Sequence, residues 1–348
     1  MKISILLPYK ENYSPLYAGS ISLFVSQTIK KSKYFKNINI FGNTNYKKFL
    51  TNNYINIKLN AKFYESSSKK YIQNFVNIEK KYQSDLLEIH NRPNYISLIK
   101  KHYTKKIILY FHNNPLEMKG SKSIAERIFL LTNVDKLVFN SCWSKKQFFK
   151  DLPKKYLTLK NISICYQSSD KPKINFNQKQ KIISFIGRLN KSKGYDLFGE
   201  AIIKILDKHT KWVGVVFGDE HRESLLYEHP RLKIMGFKNN SLILNYLKKV
   251  SISVVCSRWN EPFGRTSLEA SSRGCAVIIS NKGGLPETSK YAIKLKSLTS
   301  SAVFKEINQL ILNEKNLLKI QKKNYSDFKY THSYISNKID LIREPFLN

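Results

Sequence analysis

The stretch VSISVVCSRWNEPFGRTSLEASSRG, residues 250–274, changes character twice. The apolar, β-branched run VSISVVC (250–256) reads as a buried strand. SRWNEPFG follows with turn chemistry at Pro262 and Gly264. Phe263 to Thr266 then read as the first turn of a helix that continues through LEASS. A strand feeding a helix through a short polar loop is the repeating unit of a parallel α/β sheet. Ligands of such sheets collect at the carboxyl ends of the strands.

The same alternation runs outward in both directions. Upstream come ISILLP (3–8), INIFG (38–42), YINIKL (54–59), LLEIH (86–90), KIILYFH (106–112), KLVFNS (136–141) and NISICY (161–166). Helical patterns separate most of them, at Leu16–Lys31, Lys69–Tyr82 and Tyr95–His102 among others. QSSDKPKINFNQKQK (167–181) is polar, aperiodic and carries Pro172, so it reads as a linker. KIISFIG (181–187), WVGVVFG (212–218), LKIMG (232–236) and CAVIIS (275–280) then resume the pattern, with helices over Tyr195–Lys208 and Leu242–Lys249. The expected fold is α/β, with two doubly wound, Rossmann-like domains facing across a cleft. Residues 1–166 form the first, 167–181 the linker and 182–329 the second; a final helical segment occupies 330–348.

Composition excludes several classes. Aromatic content of 13% and hydrophobic content of 42% support real cores. The four cysteines are dispersed and form no C-x-x-C pair, which gives neither a zinc site nor a disulfide framework. The amino-terminal apolar run ends at Pro8, too early for a signal-peptide core. No run of about 18 apolar residues occurs, so no transmembrane helix is expected. A cytoplasmic location is expected, with the inner face of the cell membrane as an alternative. The net charge is +35. Residues 1–170 carry 29 basic and 10 acidic side chains, and 171–348 carry 31 and 15. A charge spread this evenly argues against a dedicated basic tail. Compositional lysine bias, attraction to anionic lipid and attraction to nucleic acid all remain open readings.

Two loops carry candidate chemistry. GRLNKSKG (187–194) offers Gly187, Arg188 and Lys193 at a helix entrance. It matches neither the P-loop nor the G-x-G-x-x-G pattern. Two cations beside a helix N-terminus suit a diphosphate, although a solvated loop in a lysine-rich chain would read alike. In NEPFGRTSLEASSRG, the segment Phe263, Gly264, Arg265 and Thr266 offers backbone N–H groups to phosphate oxygens. Glu261 and Glu269 flank that segment. Carboxylates accept pairs of sugar hydroxyls, so the set fits a nucleotide-sugar. The bland alternative, a cap plus a surface glutamate, explains Glu269 poorly beside Leu268 and Ala270.

The E-x7-E spacing of Glu261 and Glu269, the upstream G-R-L-x-x-x-K-G and the downstream GGLPE (283–287) together resemble the retaining group 1 glycosyltransferases of the GT-B fold, which include lipopolysaccharide-core and mannosyl transferases. The resemblance covers nearly all of 181–290 and is looser in the amino half. It implies that Glu269 holds the ribose, Glu261 contacts the transferred sugar, Arg188 and Lys193 neutralise the diphosphate, and Gly236-Phe237 borders the base. It implies that His112, at the end of a central strand, reaches the donor sugar, and that 330–348 packs back on the first domain. His90, Asn91, Arg92, Asn113 and Gly19 are its acceptor- or sugar-side candidates. Members often carry two adjacent glycines where this chain has only Gly19.

The expected reaction is transfer of a hexose or N-acetylhexosamine, with retention, from a nucleotide diphosphate sugar to a glycan or lipid-linked acceptor. UDP is preferred on family grounds. No D-x-D triplet occurs, so neither a catalytic metal nor any other cofactor is expected. The alternatives are a sugar-nucleotide epimerase or phosphorylase on the same fold, and a basic nucleic-acid-binding protein. The latter lacks a reading helix, and no specific nucleic acid is expected as a partner.

Overall fold

The computed structural model describes residues 1–59, 66–159, 161–223 and 225–347. They form two compact units, Met1–Ser168 with His332–Asn348 and Ser169–Thr331. Asn348 itself lies outside the described residues.

The first unit holds a seven-stranded parallel sheet among the described residues. Its strands are β1 (Ile3–Leu6), β2 (Ile38–Gly42), β3 (Tyr54–Asn56), β4 (Leu86–His90), β5 (Lys106–Phe111), β6 (Lys136–Phe139) and β7 (Ile162–Ile164), ordered β3-β2-β1-β4-β5-β6-β7. Every residue of β1 and β4 is buried, as expected for a parallel sheet covered on both faces. The helices are α1 (Ser20–Ile29), α2 (Ser67–Tyr82), α3 (Ile96–Ile99), α4 (Ile124–Asn133) and α5 (Cys142–Phe149). Hydroxyl caps start several of them: Ser66 accepts from Lys69 N, and Ser123 with Glu126 forms a capping box. One core layer gathers Phe41, Phe75, Ile89, Leu109, Phe111, Phe139 and Phe148.

The second unit holds β8 (Gln180–Ile186), β9 (Val213–Phe217), β10 (Leu232–Ile234), β11 (Val250–Val255), β12 (Ala276–Ser280) and β13 (Ile293–Leu295), all parallel and ordered β10-β9-β8-β11-β12-β13. Its helices are α6 (Tyr195–Lys208), α7 (Asn240–Leu247), α8 (Arg265–Ser272), α9 (Ser300–Leu312) and α10 (Glu314–Ser326). The chain then supplies α11 (His332–Arg343) to the first unit. There Arg343 is buried. Its Nε and Nη2 donate to the two carboxylate oxygens of Glu88 on β4, at 2.8 and 2.7 Å, and its Nη1 donates to Asp340 at 3.0 Å. Asp340 also accepts from the Ser32 hydroxyl at 2.6 Å and the Lys33 N–H at 2.9 Å.

Some elements differ from the sequence reading. The first helix begins at Ser20 rather than Leu16, because Pro15 and the extended Gly19 keep the preceding loop out of helical geometry. The helix after the 250–256 strand begins at Arg265, so Phe263 and Gly264 precede it; Gly264, at φ 116°, cannot join a right-handed turn. Of the segment 167–181 read as a linker, residues 169–181 group with the second unit. Arg273 pairs with Asp170, and the Lys179 ammonium donates to the carbonyls of Val250 and Arg273, both at 2.7 Å. Strand β13 had no distinct sequence signal, being three residues beside polar neighbours.

Candidate functional site

In the second sheet the strand order reverses between β8 and β11, and a crevice opens outside the carboxyl ends of such a pair. The loops at those two ends are GRLNKSKG and CSRWNEPFG. They are fastened together. The backbone N–H groups of Arg258 and Trp259 donate to Ser192 O at 2.9 and 3.1 Å, and the Arg258 guanidinium grips both Asp196 oxygens at 2.5 and 2.7 Å. Gly194 sits at φ 75°, and any side chain there would collide with the Cys256 carbonyl. The close approach of the loops therefore depends on that glycine.

The fastening brings Lys193 to Glu261. The Lys193 ammonium donates to Glu261 Oε1 at 2.5 Å and lies over the Trp259 ring, 4.7 Å from its centre. Both partners are partly buried, which strengthens the attraction relative to a surface pair. Arg188 is exposed in the same loop. The loop 281–284 closes on the site from β12, with Gly284 N donating to Glu261 O at 2.7 Å.

Glu269 lies on α8, buried at 5% exposure. One oxygen, Oε1, accepts from Arg265 Nε at 2.7 Å and from Asn240 Nδ2 at 3.0 Å. The carboxylate is thus aimed by two donors, one from its own helix and one from α7. Gly236, at φ 65°, and the exposed Phe237 follow β10, just ahead of α7. Sequence reasoning missed Asn240 and Trp259. Asn240 carries no local signal because its partner is 29 residues away, and Trp259 reads as an ordinary aromatic beside a turn.

In the first sheet the order reverses between β1 and β4. The β4 end supplies His90, Asn91 and Arg92, and the neighbouring β5 end supplies His112 and Asn113. Asn91 adopts φ 56°, and its side-chain oxygen accepts the N–H of His112 at 3.0 Å and of Asn113 at 3.1 Å. Arg92 turns back to donate to Asn91 O at 2.8 Å. His112 Nε2 lies 2.9 Å from His90 Nδ1, and His112 Nδ1 lies 3.0 Å from the Gln167 amide nitrogen. Burial pushes the pKa of His90 down to about 3, and burial followed by the neighbouring His90 pushes that of His112 well below the usual histidine value.

The β1 end carries Gly19 and a further residue the sequence did not reveal, Glu11. Its carboxylate accepts Ser22 N–H at 2.9 Å in the first turn of α1. A side chain at Gly19 would overlap that carboxylate. Burial raises the Glu11 pKa, and the Ser22 and Ile21 hydrogen bonds together with the Arg92 charge oppose the rise. The single glycine of this loop therefore admits an internal anion to the helix N-terminus.

Two parallel sheets in these strand orders have the GT-B architecture. Residues 167–327 match the family model described as glycosyl transferases group 1, and the chain carries that family's domain. YtcC of Bacillus subtilis (strain 168), which bears a glycosyltransferase name, is 22% identical over 300 residues, covering 76% of this chain and 73% of that protein. The lipopolysaccharide core biosynthesis mannosyltransferase LpcC of Rhizobium leguminosarum bv. viciae is 32% identical over 117 residues, 30% of this chain and 33% of that protein. Among solved structures, Anabaena Alr3699/HepE in complex with UDP-glucose is similar in fold, with a TM-score of 0.77 and 14% identity over 99% of this chain and 100% of that one. Among the described residues no helix is long and apolar enough to cross a membrane.

Proposed function

We propose that this glycosyltransferase moves a hexosyl or N-acetylhexosaminyl group from a nucleoside diphosphate sugar to a glycan or lipid-linked acceptor, with retention and without a metal. The observation that carries the reading is the Lys193–Glu261 pair held beside the start of α8, with Glu269 aimed by Asn240 and Arg265. A donor diphosphate would draw Lys193 and Arg188 to its oxygens and meet the first N–H groups of α8 at Arg265 and Thr266. Glu269 would accept the ribose hydroxyls, Gly236 and Phe237 would border the base, and the released Glu261 would face the sugar. Gly187, Phe263 and Gly264 shape the loops around these groups. His112 would stand at the reacting sugar, with Gly19, His90, Asn91, Arg92 and Asn113 on the acceptor side.

As the glycosidic bond breaks, negative charge grows on the diphosphate, and prepositioned cations and amides stabilise that change. The UDP-glucose complex of HepE, similar in fold, supports a UDP sugar as first choice. The names of relatives such as LpcC support a cell-surface glycan as the acceptor class. The test is a panel of UDP, GDP and ADP sugars, scored by thermal stabilisation and by transfer in excess chelator. Stabilisation by a UDP sugar and chelator-resistant transfer are expected. Transfer that stops in chelator and returns with magnesium would overturn the metal-free route. Sedimentation with anionic and neutral vesicles at several salt concentrations tests whether the basic surface also seats the enzyme on a membrane.

A further inference from the structure

Both ring nitrogens of His112 are engaged inside the first unit. Nε2 faces His90 Nδ1 at 2.9 Å, and Nδ1 faces the Gln167 amide at 3.0 Å. His90 is in turn stacked flat on Tyr110, 4.5 Å between centres and 2° between planes, and its Nε2 is buried without a partner. Phe24 of α1 meets the His112 ring edge-on at 5.3 Å, and the His112 carbonyl accepts from Asn140 Nδ2 at 2.9 Å. Both ring nitrogens and one side of the ring are therefore held by this chain's own atoms, while the residue stays partly exposed. We infer that His90 and Gln167 are positioning residues that lock His112 as a neutral imidazole, so that it serves the reaction as a fixed, uncharged group and not as a proton donor or base.

The proton count supports this. Two imidazoles sharing one hydrogen bond need one ring to donate and the other to accept. With the Gln167 amide nitrogen donating, His112 carries its proton on Nε2 and donates to His90, which then carries its own on Nε2. With the amide turned over, each donor–acceptor direction reverses. In either arrangement each ring keeps one proton, and the chain of bonds ends at His90 Nε2. A second proton would create a buried cation with no carboxylate to meet it. Tyr110 on β5 and Phe24 on α1 lie against the rings, Gln167 after β7 meets Nδ1, and Asn91 of the β4 loop and Asn140 after β6 bind the His112 backbone. The fixed charge that acts on His90 is Arg343 of α11, which opposes its protonation. Its partner Glu88 is already bound to Arg343 through both oxygens.

The inference rests on the proposed reaction for its benefit. Positive charge develops on the sugar ring of an oxocarbenium-like transition state, and an imidazolium beside it would oppose that charge. A neutral ring can touch the sugar without that cost.

The experiment follows the histidine resonances of the full chain by NMR between pH 5 and 8, in wild type, Gln167→Glu and His90→Gln, with donor turnover measured over the same range. In wild type neither His90 nor His112 should titrate, and an ordinary midpoint for His112 would overturn the inference whatever the activity. Gln167→Glu places a carboxylate against Nδ1 and should raise the His112 midpoint into the window. Its kcat should then fall about tenfold or more on the acid side, with KM for the donor little changed. An unchanged pH profile in a folded Gln167→Glu variant with an unmoved His112 resonance would also overturn it. His90→Gln keeps a hydrogen-bonding partner for Nε2 and supplies an independent readout should the glutamate variant fold poorly: His112 freed of its imidazole neighbour should titrate closer to its ordinary range, and silence there counts against His90. If neither histidine of wild type titrates, as expected, yet no sugar is transferred, the reaction assignment fails and the positioning inference stands.

Discussion

Lys193 and Glu261 meet at 2.5 Å above the Trp259 ring, although they come from loops on different strands. The pair sets the resting electrostatics of the proposed donor site, because the ammonium that would hold a diphosphate already neutralises the carboxylate that would face the sugar. Lys193→Ala and Arg188→Ala should each lower kcat by roughly a hundredfold, with KM for the donor moving less, as for loss of a group that stabilises charge only in the transition state. Steady-state kinetics at saturating acceptor decide it, and wild-type turnover in both variants would remove the loop from catalysis. His112→Ala should lower turnover while calorimetry finds nearly unchanged UDP affinity, since UDP lacks the transferred hexose.

Glu269 should contribute to binding before any chemistry occurs. Removing a charged hydrogen-bond acceptor costs about 1.5–3 kcal/mol. Glu269→Ala should therefore weaken UDP by about ten- to a hundredfold in calorimetry. Asn240→Ala leaves the carboxylate in place but frees its aim, and should weaken UDP by less. Full affinity in the Glu269 variant would place the ribose elsewhere.

Glu11 offers a pH signature. Its carboxyl holds a proton more tightly in the folded chain than an ordinary glutamate does, chiefly through burial. Such a group stabilises the fold most below the ordinary glutamate range and loses the contribution as pH rises through its higher folded value. Glu11→Gln keeps an oxygen for Ser22 and abolishes the titration. The stability of wild type relative to this variant should fall across the mildly acid range and level off above it. Paired denaturant melts between pH 4 and 8 measure the difference, and a rise with pH would contradict the assignment.

Arg343 ties α11 to β4 through a buried ion pair with Glu88. Cutting one side of a buried ion pair costs about 3–5 kcal/mol, because the partner is left charged and unmatched. Arg343→Ala should destabilise the first unit on that scale. A double change, Arg343→Met with Glu88→Gln, should recover much of the loss. Equal losses in the single and double variants would show that packing, not charge, dominates there.

The sheets and the donor-side loops were legible in the sequence because strand and helix periods differ and because the loops are local. GRLNKSKG and NEPFG each lie within one strand–loop–helix unit, so their placement needed no knowledge of distant residues. Asn240, Trp259, Gln167 and Glu11 were not legible for the converse reason. Asn240 and Gln167 act through partners 29 and 55 residues away, Trp259 through its ring, and Glu11 through a backbone N–H at a helix start. Helix starts also slipped at two of the glycine-bearing loops, at Gly19 and at Gly264, where backbone geometry decides and composition does not.

The passage of α11 back to Glu88 has a consequence for how the chain is made. Residues 169–331 are contiguous, so the second unit can complete itself while the ribosome is still at work. The first unit emerges earlier yet lacks Arg343 until the whole second unit has been made. Until then Glu88 lies on a central strand without its cation. The half of the protein that is synthesised first is thus the half that finishes last, and its unmatched carboxylate is the point where a nascent chain would most need shelter.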